Sequence, residues 1–134
     1  YVTGMDWPGI QQLVTVWKYD SSSGAAVTGF GENGVLAYDI SGTNQIQSGQ
    51  SIAVDGATND IYVTGSRQNN SLNSDMFISK FDSSGTADTN FGVSGVVVYD
   101  SSGNEGGQSI VLDSAVNLYV TGGSDNDMVI WKYK

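Results

Sequence analysis

Short apolar runs, separated by clusters of Gly, Ser, Asn, Asp and Thr, set the rhythm of this chain. Between residues 49 and 106 the runs fall at 51–55, 61–65, 76–82 and 96–100. Each is rich in Val, Ile, Tyr or Phe, the side chains that suit a pleated surface. None places apolar residues at i, i+3, i+4 and i+7 over a helical length, so strands are predicted throughout. Asp82-Ser83-Ser84-Gly85 and Asp100-Ser101-Ser102-Gly103 predict turns closed by the Asp side chain, and 55–60 predicts a short hairpin connection. Met76-Phe77-Ile78 and Val96-Val97-Val98-Tyr99 are apolar at consecutive positions, so the pattern predicts strands covered on both faces.

The runs repeat. Tyr1-Val2-Thr3-Gly4 returns at 62–65 and at 119–122, after 61 and 57 residues. Trp17-Lys18-Tyr19 is echoed by Ser79-Lys80-Phe81 and Trp131-Lys132-Tyr133. Phe30-Gly31 with Gly34 matches Phe91-Gly92 with Gly95, and Val35–Asp39 matches Val96–Asp100. Gly49-Gln50-Ser51-Ile52 matches Gly107-Gln108-Ser109-Ile110. A quartet of short antiparallel strands every sixty or so residues describes the blade of a β-propeller, and blades covered by neighbours on both sides explain the continuous apolar runs. The structural rival, a β-helix, has coils of about half this length or less.

By analogy with propeller repeats the 51–55 run is expected to be the innermost strand of its blade, and the strand order along the chain is then 2-3-4, 1-2-3-4, 1-2-3. The expected architecture is therefore all-β, with about two and a half propeller-like blades in one repeat region spanning 1–134. Residues 1–48 form a partial blade, 49–106 a complete one, and 107–134 a second partial one. Such a ring is incomplete, so the chain is expected to be a segment of a longer polypeptide or one unit of an assembly, with neighbouring blades of the same or another chain as partners.

The stretch 79–85, continued through 88–97, resembles the bacterial delta-sixty repeat. Gln50–Asp55 with Asp60–Gly65 resembles the related bacterial SBBP propeller repeat. Together these patterns cover nearly the whole chain; Gly24–Gly29 departs from the usual Gly-x-x-Asp run. The resemblance implies a propeller within a large secreted or surface-attached bacterial protein. It implies no catalytic residues.

Composition narrows the chemistry. The formal net charge is −9, and 12 of the 14 acidic residues are Asp, a turn former rather than a helix former. So negative a chain repels nucleic-acid phosphates and anionic membranes. Nothing in it is long and apolar enough to insert as a helix. Without Cys there are no disulfides or thiolate ligands, and without His the commonest general base is missing. No enzyme is expected here, although a parent protein could carry catalytic groups elsewhere. Low charge with abundant Ser, Thr, Asn and Gly suggests an extracellular or cell-surface setting.

Gly29-Phe30-Gly31-Glu32-Asn33-Gly34 matches GxGxxG, but a strand rather than a helix is predicted after it, so a turn is the better reading. Asp-rich turns suit calcium, which takes several oxygens from one loop; Asp125 with Asp127, the 55–60 turn, and Asp100 with Glu105 are the weak candidates, and no cofactor is assigned. The connections between strands two and three, and between strands four and one, emerge on one face. That face is expected to hold Asp6, Trp7, Asn44, Arg67, Asn69 and Glu105, an aromatic among polar groups able to stack on a glycan or peptide. Asn69-Asn70-Ser71 is a glycosylation sequon. The leading expectation is a non-enzymatic scaffold or adhesion module; a ligand-binding face is the alternative.

Overall fold

A computed structural model of the chain describes residues 1–6, 12–40 and 45–134. They form ten strands: β1 (Val2–Asp6), β2 (Leu13–Trp17), β3 (Val35–Tyr38), β4 (Gln47–Val54), β5 (Ile61–Gln68), β6 (Ser74–Phe81), β7 (Val96–Tyr99), β8 (Glu105–Leu112), β9 (Leu118–Ser124) and β10 (Asp127–Tyr133). Among the described residues there is no helix, so the all-β expectation stands. Every pairing is antiparallel, and the strands make three open sheets: β1-β2-β3, β4-β5-β6-β7 and β8-β9-β10.

The sheets stack in chain order. β4 of the central sheet packs on β1 and β2, and β8 of the third packs on β4, β5 and β6. Each junction has its own core. Val14 and Val16 meet Ile61, Val63, Phe77 and Phe81 at the first. Met76 and Ile78 meet Ile110, Leu118, Val120 and Trp131 at the second. The central sheet is thus apolar on both faces because alternate side chains serve different junctions.

The edge strands β4 and β8 begin at Gln47 and Glu105, four residues ahead of the Ser51 and Ser109 runs. Their polar first halves are held by backbone pairing, and a β-bulge then shifts the register, between Gly49 and Ser51 in one and between Gly107 and Ser109 in the other. Opposite the bulges stand Gly65 and Gly122, where a Cβ would collide with the carbonyl oxygens of Ser48 and Gly106. Glycine is required there by this approach of one backbone to another.

The turns account for much of the acidity. Asp20, Asp55, Asp82, Asp88, Asp100 and Asp113 each accept, on Oδ1, the backbone N–H two residues on. Hydrogen bonds from Ser22 and Ser23 hold the Asp20 carboxyl at about 2, and similar bonds keep Asp82 and Asp113 below the usual range. The GxGxxG stretch is a turn running into β3: Glu32 N–H donates to Val35 O, and Gly31 has φ +53° where a Cβ would strike that carbonyl. No helix follows to meet a pyrophosphate, and Gly92 repeats the geometry at φ +57°.

Candidate functional site

The most unusual chemistry lies where the central sheet connects to the third, between β7 and β8. Asp75 at the start of β6, Asp100 just after β7 and Glu105 at the start of β8 each offer a carboxylate oxygen within 4.8 Å of the others. Asp75 and Glu105 are buried; Asp100 is exposed. No other such group of His, Cys, Asp or Glu occurs among the described residues.

Each carboxylate is fixed by its surroundings. Arg67 faces Asp75 across the β5–β6 pairing, with Nε 3.4 Å from Oδ2. Asn69 Nδ2 donates to Asp75 Oδ1 at 2.8 Å. Asp75 Oδ2 and Arg67 Nε are otherwise buried without a hydrogen bond. Glu105 accepts from Ser101 N–H at 3.1 Å and from Ser101 Oγ at 2.5 Å, so it closes the turn that joins the central sheet to the third. Ser124 Oγ lies 3.4 Å from its Oε1. Three carboxylates against one guanidinium leave an excess of negative charge in a partly dry setting, which favours a cation or a hydroxyl donor over an anion. The donors are oxygen alone, the type a hard cation takes; calcium wants roughly six to eight of them, so three side chains furnish part of a shell.

Beside the cluster, Glu105 joins Gln50, Ser66, Ser74, Asn104 and Asp125 around an open polar hollow of about 310 Å³. Gln50 and Gln108, the residues expelled by the two bulges, both reach it.

The expected binding residues do not all meet here. Arg67, Asn69 and Glu105 belong to this neighbourhood, the first two as partners of Asp75. Asp6 lies at the end of β1 and lines a separate hollow with Gly31, Glu32 and Leu36. Arg67 also borders a third hollow, facing the first sheet with Ile40 and Val98. Trp7 and Asn44 lie outside the described residues. The sequon Asn69 has its side-chain nitrogen engaged by Asp75, while its Oδ1 accepts from Ser71 and Asn73 N–H. Of the weak metal candidates, Asp125 accepts Asn104 N–H and Asp127 opens β10; neither belongs to the carboxylate group, whereas Asp100 and Glu105 do. Asp75 precedes an apolar run as any turn residue would, so the sequence carries no signal for it, and only the β6–β7 pairing sets it beside Asp100.

The chain matches no family model and no curated protein.

Proposed function

We propose that this chain is a run of β-propeller blades serving as a non-enzymatic structural and interaction module. One observation carries the reading. Met128 and Ile130 of β10 stand at the repeat positions of Met76 and Ile78 in β6. The β6 pair is 0% exposed beneath the third sheet, whereas Met128 is 83% and Ile130 62% exposed. The outer face of the third sheet therefore has the side chains of a face that is normally covered, and the cover that fits it is another sheet of the same repeat. Likewise Trp17, which corresponds to the buried Trp131, stands on the outer face of the first sheet. A preceding face and a following face that complement each other build head-to-tail stacks.

The delta-sixty and SBBP resemblance supports a secreted or surface-attached bacterial setting, with further blades as partners. Sedimentation velocity tests the stack. The reading expects concentration-dependent association that Ile130→Lys suppresses without changing the circular dichroism spectrum. A wild-type chain that stays monomeric throughout the soluble range would contradict it.

The polar hollow at Glu105 supports a second role, binding a glycan or peptide through hydroxyl and amide contacts. A glycan array probed with wild type and Glu105→Ala, Gln108→Ala tests it; equal or absent signals reject it.

A further inference from the structure

Gly4, Gly65 and Gly122 hold the same place in the Tyr-Val-Thr-Gly repeat. At Gly65 and Gly122 the reason for glycine is visible: the bulged strand drives a carbonyl oxygen, from Ser48 or Gly106, into the space a Cβ would fill. At Gly4 no such carbonyl lies among the described residues. Among the described residues, a Cβ there would meet only the Trp17 ring, at 3.3 Å and 3.7 Å. The strand before it tells the same story. Val63 and Val120 are 0% exposed beside Ile52 and Ile110, while Val2, their equivalent, is 52% exposed on the open edge of β1. Thr3 already plays its repeat role: its Oγ donates to Thr15 O at 3.1 Å, as Thr64 Oγ donates to Phe77 O at 2.8 Å. Among the described residues no strand pairs with this edge of β1, which keeps the Thr and Gly that face a bulged strand in the other two sheets.

We propose that the edge of β1 at Val2–Gly4 is a docking site for one kind of partner: an extended segment with the pattern of Gln47–Val54 and Glu105–Leu112, supplied by another stretch of this repeat. It pairs antiparallel, in the register of β4 on β5. Its Ile falls opposite Val2, its Ser opposite Thr3, and its bulge carbonyl over Gly4. Backbone hydrogen bonds give the pairing, and the bulge-on-glycine contact gives selectivity, as in other strand-addition interfaces. Strands β4 and β8 are already paired within their own sheets, so they are not the donors.

This proposal rests on the repeat reading but is tested apart from the stacking of faces. A labelled peptide with the sequence of residues 45–55 is titrated into the chain, with isotope-edited NMR locating the contact. Saturable binding is expected, with shifts at Val2–Met5. Gly4→Ala should keep the wild-type spectrum and melting temperature yet bind roughly tenfold or more weakly, a loss equivalent to one bulge clash. A peptide lacking the Gln50 residue, which cannot bulge, should bind as poorly. No saturable binding by the wild type, equal binding by Gly4→Ala, or shifts at Thr121 and Ile130 instead would overturn it. Peptide binding by an Ile130→Lys chain that no longer self-associates would uphold the edge site on its own. Self-association without peptide binding would reject the edge site alone.

Discussion

The two sheet junctions share a backbone and differ in chemistry. At the first, the repeat positions of Asp75, Asp100 and Glu105 are filled by Leu13, Asp39 and Gln47. Gln47 Nε2 donates to Asp39 Oδ1 at 2.5 Å, and its Oε1 accepts Ile40 N–H at 2.8 Å, so one amide satisfies both halves of the turn. At the second, Glu105 still accepts the turn N–H, from Ser101, but has no proton to offer Asp100. Leu13 is replaced by a third carboxylate. Either residue closes its turn by accepting a backbone N–H, so the extra negative charge around Glu105 is not needed for that turn. Departures from the repeat are where a function specific to this protein is best sought.

Breaking the shared part of the comparison should have the largest effect. Phe77 is fully buried at the first junction, and Phe77→Ala is expected to lower stability by about 3–5 kcal/mol in denaturant melts. Next comes transplanting the second junction's chemistry into the first. Gln47→Glu removes the donor to Asp39 and sets two carboxylates together, for a loss of about 1–3 kcal/mol at pH 7. The reverse exchange should have a smaller effect of opposite sign. Glu105→Gln allows the amide to reach Asp100 as Gln47 reaches Asp39, for a gain of about 1 kcal/mol by the same melts. A loss in that variant would mean that the Glu105 carboxylate is compensated in a way the first junction does not reveal.

Acid separates junctions from turns and has the smallest effect per group. The Asp20, Asp55, Asp82, Asp88 and Asp113 carboxyls are held below their ordinary value, Asp88 chiefly by the Lys80 ammonium and the others by hydrogen bonds within their turns. A group whose pKa is lower folded than unfolded stabilises the fold above its unfolded value and loses that contribution as pH falls through the folded one. Melting temperature should thus stay level as pH drops toward 4 and then decline toward pH 2, the range reached by Asp20. The decline should be parallel in wild type and Phe77→Ala.

The sequence made the strand runs, the turns and their recurrence readable, because these are local: alternation of apolar runs with Asp-Ser-Gly clusters needs no tertiary knowledge. It did not reveal the first halves of β4 and β8, since Gln47-Ser48-Gly49 and Glu105-Gly106-Gly107 are polar or small and are held by backbone pairing across a bulge. Asp100 and Glu105 could be paired by eye, being five residues apart. Asp75 and its partners Arg67 and Asn69 could not, because the β5–β6 pairing brings them together. Arg67 and Asn69, expected on the binding face, both contact Asp75 in the structure.

The central claim is that the preceding and following faces of the stack complement each other. The chain has no cysteine, so single thiols report on this cleanly. Val2 corresponds to Val120, which packs in the same core as Ile78, the equivalent of Ile130. A mixture of Val2→Cys and Ile130→Cys chains under mild oxidation should form the mixed disulfide dimer in clear excess over either homodimer. Statistical pairing, or homodimers alone, would contradict head-to-tail stacking.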